Sequence, residues 1–315
     1  LPLVVAGTIG QWDDQGGLQA GEAQGAILQQ AGVRWQVLPS LTRALHPIKD
    51  LIALWSLVRL FRRERPAIVH THTSKAGALG RLAARIARVP VLVHTPHGHV
   101  YYGHFNRLLS WLFLHIERML ARVTTSMIAL TEAEREEHLF RRIGSPATFA
   151  VIPSGIDVER FRRVAVGAGA RLPGTTYPEG VFVIGSVGWL TPVKGHRVLI
   201  EAVTRLKPKY PAVHVLLIGS GGLRDDLEGL AARLGVGSSV EFLGMRTDVP
   251  ECLSAMHCFV LPSFNEGMGR ALVEAMAAAR PVVASRVGGI PAIVEDRRTG
   301  LLVPPGDSDA LAAAI

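Results

Sequence analysis

Residues 262–289, PSFNEGMGRALVEAMAAARPVVASRVGG, set a Gly-Met-Gly turn between two glutamates, Glu266 and Glu274, where a helical pattern opens. The preceding CFVLPS reads as a buried strand, and Asn265 to Gly269 as its exit loop. A strand, a glycine turn and a helix together make an anion site. Amides of the first helical turn and the positive end of the helix dipole favour phosphate, while Gly267 and Gly269, on either side of Met268, let a ligand approach the backbone. A nucleotide diphosphate suits such a turn. Glu274, in the second turn of the helix, reaches past the amides, where a carboxylate grips two vicinal hydroxyls such as those of ribose. Glu266, on the turn itself, lies nearer a transferred group. Taken singly, Glu266 also reads as a helix-capping acid and Glu274 as a solvated one. The pair, with the turn RVGGIP after a further strand, favours a ligand site.

The elements that must position these residues form two series. The first half alternates strand-like runs (LPLVVAG, RWQVLPS, AIVHTHT, VLVHTPHG, MIALT) with helical patterns at 21–32, 47–66, 75–89, 105–126 and 132–144. The second runs VFVIGSVGWL, VHVLLIGSG, VEFLGM, CFVLPS and PVVAS, again separated by helical patterns. Alternation of this kind predicts α/β architecture with mostly parallel sheets. Residues 165–180, rich in Gly, Pro and Thr and without periodicity, read as a linker. The expected domains are 1–164 and 181–315, two doubly wound sheets facing a cleft. Ligands of such sheets bind beyond the carboxyl ends of the strands, so the loops after strands are the places to look for chemistry.

With 315 residues, 48% of them hydrophobic, the chain can bury two cores. The longest apolar runs, LIALWSLVRLF and LLSWLFLHI, fall short of the roughly 20 residues that span a bilayer. Cys252 and Cys258 match neither a redox pair nor a zinc knuckle and read as buried reduced thiols of a cytosolic protein. LPLVVAG begins as a strand already under way and GDSDALAAAI breaks off inside a helix, so both ends are expected to be incomplete. Residues 1–165 hold 20 Lys and Arg against 12 Asp and Glu, whereas residues 166–315 hold 14 against 14. All of the net charge of +8 therefore sits in the front half. It reads either as a solvated basic face or as a surface for an anionic partner. Histidines 70, 72, 94, 97, 99 and 104 invite a metal reading because alternate strand residues share a face, but no carboxylate accompanies them. No metal is expected.

EGMGRALVEAMAAARPVVAS resembles the two-glutamate signature of the retaining GT-B glycosyltransferases of family 4, with the second glutamate eight positions after the first. VGWLTPVKGHRVLIEA, LLIGSGGLRDDLE, VEFLGMRTDVPECL and GIPAIVEDRRTGLLVPPGD are similar, in order, to that family's C-terminal domain. IVHTHTSKAG, HTPHGHVYYGHFN and VIPSGIDVERF resemble members that assemble bacterial surface polysaccharide. The resemblance implies a nucleotide diphosphate sugar as donor substrate, with no cofactor and no nucleic-acid partner. It places Gly188, Trp189 and Lys194 at the diphosphate, where a cation offsets charge on the leaving group. Trp189 stands where relatives carry an arginine. Met245 and Arg246 fall where the family's backbone meets the nucleobase, Asp248 reads as a helix N-cap, and the Ser220–Gly222 turn is expected to line the pocket. His97, in HTPHG, falls where the family's front domain faces the donor sugar; with Glu266 it forms the expected catalytic pair. Ala279 replaces a glycine at a position that favours left-handed backbone. The reading that follows is metal-independent, retaining transfer of a hexose to a hydroxyl, on a lipid-linked glycan acceptor. It implies a cytoplasmic protein, peripheral at the inner face of the plasma membrane, with the basic front domain and the helix at 105–123 on anionic lipid. The alternatives are a nucleotide-sugar epimerase on the same scaffold and a donor-binding module without activity.

Overall fold

The computed structural model describes residues 2–8, 25, 28–42, 44–97, 107–164 and 180–315. The chain divides into two compact units, Leu1–Ile152 and Pro153–Ile315. His99, His104, nearly all of the expected linker and most of the helix expected at 21–32 lie outside the described residues.

In the first unit, β1 (Leu3–Thr8) pairs in parallel with β2 (Arg34–Thr42). A second parallel ladder runs in the order β3 (Ile68–His72), β4 (Val91–Thr95), β5 (Ser126–Ala129) and β6 (Phe149–Val151). Among the described residues these are two ladders, where the strand pattern suggests one sheet. Helix α1 (Pro47–Glu64) starts sharply because Pro47 fixes the first turn and His46 Nδ1 accepts the Lys49 N–H at 3.3 Å. One face of α1 buries Leu57 and Val58 against Ala83 of α2 (Ser74–Ile86), with Val5 and Leu38 packed beside them. Arg81, fully buried on α2, places one guanidinium nitrogen 2.8 Å from each carboxylate oxygen of Glu117 and so ties α2 to α3 (Arg107–Ala121). Helix α4 (Glu132–Phe140) follows β5, capped by Thr131.

The second unit is one parallel sheet of β7 (Phe182–Val187), β8 (Val213–Ile218), β9 (Val240–Gly244), β10 (Cys258–Leu261), β11 (Val282–Ser285) and β12 (Leu301–Val303). Its spatial order is β12-β11-β10-β7-β8-β9. The chain lays strands in one direction from β7, then returns to β7 and continues the other way, which is the doubly wound order. The runs CFVL and VVAS are apolar or small throughout because both faces of their strands are covered. On one face lie α6 (His196–Leu206), α7 (Arg224–Arg233) and α10 (Ser308–Ala314). On the other lie α8 (Val249–Ser254) and α9 (Arg270–Ala277). A short helix, α5 (Val158–Arg162), joins that second face: Phe161 is buried in the same core as Leu253 and Leu272. Residues 153–164, which the sequence pattern groups with the first domain, thus pack with the second. Cys252 and Cys258 are free and buried, and burial pushes their thiols up to about 11 and about 12.

Ala279 closes α9 with φ +54°, the left-handed geometry expected at that position. A Cβ in this region costs about 1 kcal/mol relative to glycine. Ala279→Gly is expected to stabilise the second unit by about that amount in urea unfolding; an unchanged midpoint would mean the strain is absorbed elsewhere.

Candidate active site

The strands of the second sheet are parallel, so the loops after β7, β8, β9, β10 and β11 all open on one edge. β7 and β10 are neighbours where the strand order reverses, the place at which sheets of this kind bind their ligands. Gly188 and Trp189 leave β7, followed by a 3-10 turn at Pro192–Lys194. This turn presses against the exit of β10. Gly195, at φ +66°, lies so close to Pro262 that a Cβ there would sit 2.0 Å from its carbonyl oxygen. Phe264 N–H donates to the Val193 carbonyl at 2.8 Å. The result is delivery of Lys194 Nζ to 2.5 Å from Glu266 Oε1. The same carboxylate oxygen accepts the Ser263 hydroxyl at 2.7 Å.

Glu266 is held through its backbone as well. Gly288 passes beneath it at φ +49°, where a Cβ would lie 1.9 Å from the Glu266 carbonyl oxygen, and Gly289 N–H donates to that carbonyl at 3.1 Å. The RVGG turn after β11 therefore fixes the loop after β10. Gly267 and Met268 lead into α9, whose N-cap, Gly269, offers no side-chain cap, and no acid occupies the first turn. The positive end of this helix is thus not offset by its own residues. Met268 is buried, and its sulfur accepts the Ser154 N–H at 3.2 Å, which brings the VIPSGID loop to the turn. Glu274 is buried on α9 and accepts from Arg270 Nε at 3.0 Å.

The remaining expected contacts lie farther along the same edge. Met245 and Arg246 follow β9, the outer strand beyond β8, and Met245 is exposed. Arg246 is bound bidentately by Asp248, at 2.8 and 2.5 Å. Asp248 does occupy the N-cap position of α8, but its carboxylate makes no capping bond because Arg246 takes it. The Ser220 carbonyl accepts the Leu190 N–H at 2.8 Å, which ties the glycine turn after β8 to the Trp189 loop. Trp189 is exposed.

His97 belongs to the first unit. It follows β4 with φ +58°, a left-handed conformation uncommon for a residue with a Cβ. Its Nε2 lies 2.9 Å from His72 Nδ1, and the His72 ring is 4.2 Å from that of His70. His70 and His72 share the exposed face of β3, whereas His94 is buried and bonded to the Thr71 hydroxyl at 2.9 Å. Burial, then the neighbouring imidazoles, holds His72 down to about 4; burial also lowers His70 and His97. Neutral rings can share a hydrogen bond only if one donates and the other accepts, so His72 and His97 fix each other's tautomer. Among the described residues no group of three or more His, Cys, Asp or Glu is arranged to hold a metal ion.

Residues 4–155 match the model of the glycosyl transferase 4-like domain, and residues 181–315 that of the glycosyl transferases group 1. The chain is 32% identical to the UDP-Gal:alpha-D-GlcNAc-diphosphoundecaprenol alpha-1,3-galactosyltransferase of Escherichia coli, over 90% of this chain and 74% of that protein. It is 33% identical to the putative glycosyltransferase EpsD of Bacillus subtilis, over 79% of this chain and 66% of that protein. The crystal structure of Anabaena Alr3699/HepE in complex with UDP and glucose superposes with a TM-score of 0.74 at 28% identity, covering 91% of this chain and 77% of that one.

The chain belongs to the group 1 glycosyltransferases of the GT-B fold. Within this glycosyltransferase the structure brings together Gly188, Lys194, Glu266, Gly267, Met268 and Gly269 at the exits of β7 and β10, with Glu274 on the helix that begins there. Met245 and Arg246 lie on the same edge, and His97 is in the other unit. Two residues escape the sequence reading. Arg270 sits four residues before Glu274 on one helix, a spacing that places it near that carboxylate; Ser263, three before Glu266 in PSFNEG, lies in a loop, where spacing alone gives no such signal.

Ser263 is fully buried, so its hydroxyl orients Glu266 without water as a competitor. Loss of one hydrogen bond to a buried charged group is worth about 1.5–3 kcal/mol. Ser263→Ala is expected to lower kcat about tenfold to a hundredfold with little change in donor KM; an unchanged kcat would show that Lys194 alone orients the carboxylate. Beside Lys194, His196 is buried with Nδ1 unpartnered, and burial followed by the lysine's charge holds its pKa down to about 4, from 6.5. As pH falls below 6.5 the unfolded chain protonates first, so stability is lost between pH 6.5 and 4, by up to about 3 kcal/mol. His196→Gln is expected to reduce, by that share, the loss of stability over this pH range measured by urea unfolding, the lowered histidines of the first unit keeping the rest.

Proposed function

We propose that this protein is a retaining hexosyltransferase that moves a hexose from a uridine diphosphate sugar to a hydroxyl of a lipid-linked glycan during polysaccharide assembly. The observation that carries this reading is the Lys194–Glu266 contact of 2.5 Å beside the uncapped start of α9. It joins a cation for a leaving diphosphate to a carboxylate for the transferred sugar at the strand-order reversal. The E. coli relative's name supplies the uridine donor and the diphosphoundecaprenol acceptor, and the Anabaena structure contains UDP and glucose.

In this reading the α9 amides and the Gly267–Gly269 turn take the diphosphate, and Lys194 offsets the negative charge that builds on it. Gly188 lies against the lysine stem: a Cβ there would make ordinary contact with Lys194 Cδ, at 3.6 Å. Glu274 takes the ribose hydroxyls, Met245 and Arg246 face the base, and Trp189 lies beside the diphosphate. Glu266 orients the hexose and stabilises its oxocarbenium-like transition state; a role toward the sugar is proposed for His97 on the family resemblance alone. The bond from the anomeric carbon to the diphosphate oxygen breaks, and the acceptor oxygen bonds that carbon on the same face. The acceptor proton passes to the departing phosphate, and Lys194 with the α9 amides offsets the leaving-group charge that a metal ion would otherwise neutralise.

A lipid-linked acceptor calls for work at a membrane. No described helix is long and apolar enough to cross one. Helix α3 instead exposes Leu108, Trp111, Leu112 and Met119 along one stripe of the basic first unit, a surface suited to the anionic cytoplasmic leaflet.

The test is thermal shift with a panel of nucleotide sugars on wild type and Glu274→Ala. Saturating donor at about 100 times its Kd is expected to add about 2.7 kcal/mol to wild type. The variant is expected to lose the shift. Equal shifts in both would remove Glu274 from the donor site, and NMR showing an inverted anomeric centre in the product would remove the retaining mechanism.

A further inference from the structure

The side chain of Glu274 is 10% exposed, and its one side-chain partner among the described residues is Arg270, whose own side chain is 70% exposed and whose Nε lies 3.0 Å from Oε1. Arg197 with Glu201 on α6 and Arg224 with Glu228 on α7 repeat the spacing, but there the glutamates are 34 and 45% exposed, and surface pairs of that kind contribute little. Arg270 is also the first residue of α9, where a cation meets the positive end of the helix dipole. Arg224 opens α7 in the same way, yet Asp225 and Asp226 share its first turn, whereas α9 has no acid there. A cation placed before its glutamate is, moreover, the weaker order of an i, i+4 pair. Helix stability therefore does not account for an arginine at this position.

We propose that Arg270 is a second cation for the donor diphosphate: when ribose hydroxyls occupy Glu274, the guanidinium turns from that carboxylate to the phosphate oxygens at the start of α9. The inference rests on the donor site proposed above. A nucleoside diphosphate sugar brings two negative charges. Lys194 answers one and Trp189 none, while Arg246 and Arg286 are bound by Asp248 and Asp296. Arg270 is the cation whose partner the ligand itself engages. It follows the Gly267–Gly269 turn directly. Gly269 seats the helix start tightly, since a Cβ there would lie 2.6 Å from Ile290 Cδ1 and 3.1 Å from Leu261 Cδ2, so the exposed side chain and not the helix is what can move. A guanidinium fork matches two phosphate oxygens. In the empty site Arg270 is neutralised by Glu274 and adds little to the local field. With donor bound, hydroxyls satisfy the buried carboxylate while the diphosphate takes its cation, and neither charge is left alone.

The experiment is calorimetric titration of the full chain with UDP and with 2′,3′-dideoxyuridine diphosphate, and NMR titration with uridine, for wild type, Arg270→Gln and Glu274→Ala. Glutamine can still donate to Glu274 Oε1 but carries no charge, so it separates the two roles of the arginine. Arg270→Gln is expected to weaken UDP binding about tenfold to a hundredfold, the contribution of a charge-assisted hydrogen bond, and uridine binding less than about twofold. The dideoxy ligand leaves the guanidinium on Glu274, so its affinity is expected to fall less than about threefold in the same variant, a non-additivity that marks the coupling. Equal losses for uridine and UDP would overturn the proposal and leave Arg270 as a residue that orients Glu274. So would an unchanged UDP Kd in Arg270→Gln where Glu274→Ala weakens it, an outcome that spares the donor site itself. A wild type that binds no UDP would overturn the donor site and the proposal together.

Discussion

A nearly buried carboxylate sits at the carboxyl end of β10, and the second unit is arranged around neutralising it. Side-chain exposure of Glu266 is 9% against 24% for Lys194, so the pair is largely but not wholly removed from water. Removing one partner from such a pair strands the other charge, at a cost of about 3–5 kcal/mol. That explains the crowding: Gly195 must touch Pro262 to bring the lysine in, and Gly288 must touch Glu266 to hold the loop. A diphosphate arriving at α9 would compete for Lys194 Nζ while Ser263 keeps its bond to Glu266. In the proposed reaction the carboxylate would stay oriented while its cation turned to the leaving group. Pre-organisation of this kind lowers the reorganisation that the reaction itself must drive.

The two halves solve different electrostatic problems. The second unit, with 17 Lys and Arg against 16 Asp and Glu, is close to neutral and gets its local positive field from one lysine and one helix end, short-range devices suited to a compact anion. The first unit holds its cations on exposed helices, where they act over a Debye length of about 8 Å at physiological salt. A field of that kind selects surfaces and sets encounter rates. Arg81 is the exception. It is buried, paired with Glu117, and serves packing between α2 and α3 rather than recognition.

The second unit was legible because its signals are local. CFVLPS, the glycine turn and the helical spacing through Glu274 sit within one stretch of chain, and five of the six strands stand out as apolar runs bounded by glycine or proline; the short β12 was not read. Ala279 is legible for the same reason, since its geometry follows from its place at the helix end. Long-range packing was not legible. Phe161 carries residues 153–164 into the second core, and nothing in VIPSGIDVERF distinguishes a helix that ends one domain from a helix that joins the next. The pairing of Arg246 with Asp248 was missed because an aspartate before a proline-started helix satisfies the capping pattern whether or not its oxygens are taken. In the first unit the separate ladders, β1–β2 and β3–β6, depend on hydrogen-bond partners that alternation of apolar residues does not specify.

Left-handed backbone at His97 and at Ala279 looks alike in dihedral terms but differs in what sustains it. Ala279 follows its helix end, and glycine would serve there better. His97 has an interaction that glycine would forfeit, the bond from its Nε2 to His72. Strain at a side chain that makes a specific polar contact persists because the contact and the surrounding β3–β4 register over-determine it. With both rings neutral, the bond couples the two tautomers: His97 either donates from Nε2 to His72 or accepts there and carries its proton on Nδ1. An imidazole oriented in that way can offer a sugar hydroxyl one donor or one acceptor, but not both. The strained turn and the His72 contact are therefore two parts of a single device, and replacing either residue would release the other.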